Sequence, residues 1–405
     1  MSNLSVPIKK LPPNVKGQVR YRFVVDVGID PVTGKRKQLT RTFETLKEAR
    51  VEYARITSRR HEGTFVPPNK ITVNEWLDRW LAMKAEDLEE TTIYNYQITL
   101  DRSRGKLGQI RLQELREEDV EEWMHWALKH GRVRGDRADT PLGVTSVDMS
   151  LARLMEALGR AVTRRLVYVN VAEHVTIPRK ARKEERKNKQ EVMPWNVQEV
   201  QTFVHGIMEE RLYAPLLLSL MGLRPAEVCG LRWTDVDLED ASITIANTRT
   251  MMGNRYVVEK DTKSMAGERA LPLPAPLLAA LTSFKALQAK EKLALGEAYV
   301  ASGYVLVHET GVAFTIKQLR RRAYRLMDLL GLRRVRVYDA RASCFTFLAN
   351  EGVPDHILAR WAGHTNVKTT KRWYVKPDVE DLREAATAWD GLHGAPTQHV
   401  RDCEI

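Results

Sequence analysis

The octapeptide VYDARASC, Val337 to Cys344, sets a tyrosine and an arginine three residues apart. If the stretch is helical, Tyr338 and Arg341 share one face. An arginine suits phosphate, because its planar fork donates two parallel bonds and stays charged. Cutting a phosphodiester without a metal needs more than one such group. The pentavalent transition state gathers negative charge on its non-bridging oxygens. The departing 5′ oxygen needs a proton, hence a general acid. A protein nucleophile is needed if the phosphodiester energy is to be kept for rejoining. The C-terminal half of the chain contains candidates for every one of these parts.

Composition favours a polyanionic partner. The 405 residues carry 64 Lys plus Arg against 52 Asp plus Glu, a net charge of +12. The excess is concentrated. Met1 to Lys70 has a net charge of +9, and RKARKEERKNK, Arg179 to Lys189, has +5. Such a run is commonly a solvated linker. Two basic segments in one basic chain point to nucleic acid. The three cysteines, Cys229, Cys344 and Cys403, lack metal-ligand spacing, so neither a zinc site nor a disulfide framework is expected. With no long apolar run and no secretory leader, a reducing cytoplasm fits.

Three zones must position these residues. In residues 1–66, QVRYRFVVDVGI alternates as a strand, DPVTGKRK has turn chemistry and QLTRTFET returns. LKEARVEYARITSRRHEG follows as an amphipathic helix. Residues 70–178 read as all-helical. Trp76, Leu77, Trp80 and Leu81 form one apolar stripe, expected to be core. Residues 179–191 read as a basic linker outside any core, and 391–405 as a tail without pattern. Residues 192–390 mix helices with three short strands, SITIANT, RYVVEKDTKS and RALPLP. Asn196 and Glu199 suggest a capping box, and Pro225 a first helical turn after Gly222. The expected fold class is multidomain α+β. It comprises a small N-terminal three-stranded sheet with one helix, an all-helical domain, and a mostly helical domain with a small antiparallel sheet.

The third zone resembles the catalytic domain of tyrosine recombinases, the phage-integrase family. SLMGLRPAEVCGLRWTDVDLED is similar to the first arginine box, EKDTKSMAGERALPLP to the lysine hairpin, and YDARASCFTFLANEGVPDHILARWAGHTNVKTTKRWYVK to the second box. The resemblance implies that Arg224 and Arg341 are the catalytic arginines and Glu227 a supporting carboxylate. Lys263 would be the general acid, His364 the histidine of the Gly-His turn and Tyr374 the nucleophile. Lys260 competes with Lys263, which the Thr-Lys-Ser context favours. Attack would give a 3′-phosphotyrosyl link and a free 5′-hydroxyl, with no metal or ATP. The departure is Tyr338, where the family usually has histidine. A phenol cannot serve as a base at neutral pH, since its pKa lies about 3.5 units above imidazole's. A phosphate-orienting hydrogen bond is the expected role.

The other zones extend the resemblance. The second is similar to a core-binding domain that closes a clamp on duplex DNA, with Arg179, Lys180, Arg182 and Lys183 of the linker as phosphate contacts. The first is similar to an arm-type DNA-binding domain, with candidates Arg20, Arg22, Lys35, Arg36, Lys37 and Arg41. That implies integration and excision of a mobile element. The implied partners are core-type and arm-type double-stranded DNA, three further protomers in a homotetramer, an excisionase and a DNA-bending host factor, with no membrane. A chromosome-dimer resolvase, a type IB topoisomerase and a regulator that binds DNA without cutting are the alternatives.

Overall fold

The computed structural model describes residues 7–13, 18–29, 36–62, 65–132, 138–188, 193–253, 256–261 and 268–364. Contacts divide the chain into two compact units, Met1–Gln190 and Glu191–Ile405.

The first unit opens with an antiparallel sheet in the order β1-β2-β3, formed by β1 (Ile8–Leu11), β2 (Arg20–Ile29) and β3 (Arg36–Phe43). The strand that sequence reading did not locate is β1. Alternation along β2 sends Phe23 and Val25 inward, where they meet Ala49 and Ile56 of α1 (Leu46–His61). Phe23 also stacks on Phe43 and meets Tyr53 edge-on. Thr45 starts α1 by accepting from the Glu48 amide, and Arg59, Arg60 and His61 crowd its last turn, where the helix dipole favours cations.

A four-helix core follows: α2 (Val73–Ala85), α3 (Glu90–Leu107), α4 (Glu117–His130) and α5 (Val144–Thr163). The aromatic stripe of α2 is core, as expected. Trp76, Leu77, Trp80 and Leu81 are buried, and the Trp76 indole donates to the Ala157 carbonyl. Burying that indole without a partner would cost free energy, so the bond also fixes the α2–α5 register.

The basic run forms a helix, α6 (Arg179–Asn188), with no buried residue. It was expected as a linker outside any core; it is a helix, and its Ala181 packs against the core of α2–α5. Arg182 pairs with Asp148 of α5 at 2.7 Å, and a Glu185 oxygen accepts from the Val144 amide at 2.8 Å. The α5 helix begins at Gly143 with no side-chain cap of its own, so Glu185 supplies one from 41 positions downstream.

The second unit packs helices around a small sheet. Its elements are α7 (Val197–Gly206), α8 (Tyr213–Leu220), α9 (Pro225–Gly230), β4 (Val236–Asp237), β5 (Ser242–Ile245), β6 (Asn247–Met252), β7 (Tyr256–Asp261), β8 (Arg269–Pro272), α10 (Ala275–Leu295), α11 (Ile316–Leu329), α12 (Val337–Asn350) and α13 (Asp355–Ala362). The expected run SITIANT is split at Ala246. Its first half joins a β4-β5-β8 sheet and its second half pairs with β7 as a separate hairpin. Gly230 lets that hairpin lie against the end of α9, because a Cβ there would sit 2.8 Å from backbone atoms of Thr248 and Arg249. The α10 helix went unread in the sequence, although its Leu277, Leu281, Phe284 and Gln288 face inward.

Candidate active site

The site is built at a turn. After α8 the chain passes Gly222 at φ +98°, a conformation natural to glycine alone. Phe345 also crowds it, since a Cβ would lie 3.1 Å from that ring. Two residues on, Arg224 stands at the N-cap of α9 with Pro225 in the first turn. Glu227 at N3 turns back, its carboxylate accepting from the Arg224 amide at 2.8 Å and from the Arg224 guanidinium at 2.6 Å.

The other half comes from α12 and the end of α13. Arg341 is fully buried on α12. It donates to the Gly222 carbonyl at 2.5 Å and to the Ala362 carbonyl, and its Nη2 lies 3.1 Å from Nε2 of His364. Arginine has no acceptor, so Nε2 accepts and the imidazole proton sits on Nδ1. Tyr338, one turn earlier, is 44% exposed. The pair thus straddles the rim, with the guanidinium inside and the phenol at the surface.

Helix α13 ends in a Schellman turn. Gly363 takes the left-handed conformation, its amide donates to Arg360 O, and the His364 amide donates to Ala359 O. The carbonyls of Trp361, Ala362 and Gly363 lie at this end of the helix. Each is met by a different arginine. Arg269 donates to Trp361 O at 2.7 Å, Arg341 to Ala362 O, and Arg224 to Gly363 O at 3.2 Å. The negative end of the helix thereby gathers three guanidinium groups from three distant parts of the sequence.

Arg269 was not found by sequence reasoning. It opens β8 at 8% exposure and grips Glu227 with both Nη atoms, each at 3.1 Å. A signal existed in RALP, where Arg269 falls in phase with inward-facing Leu271 while Ala270 and Pro272 face out. A charge on the buried phase of a strand implies a buried partner.

Electrostatics follow from this packing. Burial would push the Glu227 carboxyl up, but the hydrogen bonds and charge of Arg269, with the charge of Arg224, hold it below the usual carboxylate range. Burial, then the charges of Arg341, Arg224 and Arg269, push the His364 imidazole down to about 4, against a weaker upward pull from Glu227. His364 is therefore neutral at pH 7. Burial likewise pushes the Cys229 and Cys344 thiols up to about 12, which leaves them inert.

Of the expected site residues, the fold brings together Arg224, Glu227, Arg341 and His364. Lys263 and Tyr374 lie outside the described residues, as does Lys35. In the N-terminal sheet the expected arginines separate. Arg20 and Arg22 lie on the face away from α1, where Lys9 stands directly opposite Arg22. Arg41 pairs with Phe23, so it projects from the opposite face, beside Leu39, Glu52 and Arg59. Arg36 and Lys37 lie in β3, but their side chains are outside the described set. Arg179, Lys180 and Lys183 are exposed on α6, and Arg182 is engaged with Asp148.

Comparison with known proteins agrees with this arrangement. Residues 195–381 match the phage integrase family, residues 14–59 an arm DNA-binding domain, and residues 72–126 the phage integrase N-terminal SAM-like domain. A tyrosine recombinase XerC-like protein of Caldanaerobacter subterraneus is 27% identical over 202 residues, 47% of this chain and 52% of that protein. An integrase of Streptomyces ambofaciens is 24% identical over 387 residues, 92% of this chain and 93% of that one. Among solved structures, the Tn1549 transposon integrase in complex with transposon right end DNA superposes with a TM-score of 0.62 at 16% identity. It covers 79% of this chain and 100% of that one, a likeness of fold. Three matched segments in order, around a cluster assembled from both arginine boxes, identify a catalytic domain of the phage integrase family, the tyrosine recombinases, behind an arm DNA-binding and a SAM-like domain.

Proposed function

We propose that this chain is the integrase of a mobile element, cutting and rejoining DNA through a 3′-phosphotyrosyl intermediate. The observation that carries the reading is the convergence of Arg224, Arg341 and His364 on one end of α13. Convergent cations beside a neutral, hydrogen-bonding imidazole are what a phosphodiester under attack requires.

In this reading Tyr374 attacks the scissile phosphorus. Arg224 and Arg341 take the charge that builds on the non-bridging oxygens, Arg341 by trading a carbonyl partner for a phosphate oxygen. That charge also favours phenolate over phenol at Tyr374, whose proton passes to water. His364 donates its Nδ1 proton to a phosphate oxygen when DNA is bound. Lys263 protonates the departing 5′ oxygen, and Tyr338 at the rim orients the phosphate. Attack by a different 5′-hydroxyl reverses the step and exchanges strands. Two duplexes have four strands and each protomer brings one Tyr374, so complete exchange uses a tetramer.

The remaining zones divide the binding. Residues 1–66 take arm-type sites through Arg20, Arg22, Lys35, Arg36 and Lys37. Residues 70–178 and 192–390 take the core site, with phosphates on Arg179, Lys180 and Lys183 of the 179–191 segment. The arm DNA-binding match favours an integrase over a chromosome-dimer resolvase, which normally lacks that domain. An excisionase and a DNA-bending host protein are the expected accessory partners, and the host cytoplasm the expected place.

Nicked duplexes tiling the DNA that flanks the gene test the reading. A covalent protein–DNA adduct is expected on one tile and absent with Tyr374→Phe. Tight binding by wild type without any adduct would establish the non-cutting regulator instead.

A further inference from the structure

Glu227 is almost fully buried, and two arginines compete for it. A carboxylate this close to Arg224 is an odd neighbour for a residue that must offer charge to phosphate. Alone with Arg224, it would cancel that charge. Arg269 changes the balance, because its fork covers both carboxylate oxygens and its Nε holds Trp361 O.

We propose that Arg269 is a positioning residue of the active site, which occupies Glu227 so that Arg224 keeps its charge for phosphate and which anchors the end of α13 that carries His364. This rests on the recombinase reading. Three arginines and one carboxylate leave two positive charges, with His364 neutral. A phosphodiester attacked by a phenolate carries about two negative charges, so the cluster balances the transition state rather than the ground state. Arg269 commits Nε to Trp361 O and both Nη atoms to Glu227, so it acts through those two partners. Its geometry serves two masters at once, since one planar group spans a carboxylate on α9 and a carbonyl on α13. Lysine cannot reproduce that span.

The test is single-turnover adduct formation on the nicked tile that wild type cleaves, read beside affinity for the same duplex. Arg269→Gln is expected to slow adduct formation at saturating DNA at least tenfold while affinity changes less than threefold. Adding Glu227→Gln removes the uncompensated carboxylate and is expected to recover at least threefold of the rate. Arg269→Lys, with charge but no fork, should fall between wild type and Arg269→Gln. Wild-type speed in Arg269→Gln overturns the proposal. So does a double variant no faster than the single one when both melt as wild type does. Should Arg269→Gln fail to fold, Arg269→Lys decides, and wild-type cleavage by it overturns the assignment. Failure of wild type to form an adduct on any tile sinks the recombinase reading itself, and the proposal with it.

Discussion

Two helix starts in the second unit use the same local device to different ends. At α9, Arg224 is the N-cap and Glu227 at N3 accepts from its amide and its guanidinium. At α12, Arg336 is the N-cap and Asp339 at N3 accepts from the amide at 3.2 Å and from Nε and Nη2 at 2.8 Å each. Read locally, the two are interchangeable. What differs is the third party. Arg336 keeps Asp339 to itself, with its own side chain 67% exposed. Glu227 is shared with Arg269 on β8, and Arg224 reaches on to the end of α13. A local arginine–carboxylate cap thus becomes part of a site when tertiary packing brings a second cation to the shared carboxylate.

That contrast can be broken from the stability side first. Glu227→Ala leaves Arg269 buried without its anion and is expected to cost about 3–5 kcal/mol. Asp339→Ala removes a pair whose cation is already in water and should cost about 1 kcal/mol. Urea unfolding of both variants checks the difference, and equal losses would erase it. In catalysis the expected gap is also large. Arg224→Ala should slow adduct formation about 10²–10³-fold, or about 3–4 kcal/mol of barrier, whereas Arg336→Ala should stay within about twofold of wild type by the same assay. A smaller effect is expected at the turn between α8 and α9. Gly222→Ala forces a Cβ onto φ +98° and against Phe345, which should lower stability by about 1–2 kcal/mol and displace the carbonyl that Arg341 uses.

The mildest test is pH. The folded-state value of His364 lies at about 4, below the ordinary 6.5. Between those values the unfolded chain binds the proton and the folded site does not. Stability from this group is therefore full above about 6.5 and is lost as pH falls toward 4. His364→Gln should flatten the fall in melting temperature over that window. An unchanged slope would show that another group governs it.

How much of this was legible in the sequence depends on where each residue's partners lie. The α2 stripe and the α9 start were readable because their signals are local: Trp76 and Trp80 repeat at helical spacing, and Pro225 comes three positions after Gly222. Arg224, Arg341 and His364 were readable only jointly, through the order of the boxes. Arg269 was not, because its partners Glu227 and Trp361 are 42 and 92 positions away. Arg41 was grouped with Arg20 and Arg22 by charge, yet pairing with Phe23 sends it to the other face. The α10 helix was missed for a different reason. Its alanines and leucines surround the helix rather than forming one stripe, so periodicity carries little information there.

The α5 cap has a practical consequence for anyone cutting this protein into pieces. The buried apolar residues of the helical zone end at Ile177, and a fragment trimmed there would keep them. It would lose Glu185, and with it the acceptor for the Val144 amide at the start of a 20-residue helix. The boundary that matters for such a fragment lies beyond Glu185, inside a stretch whose composition reads as spacer.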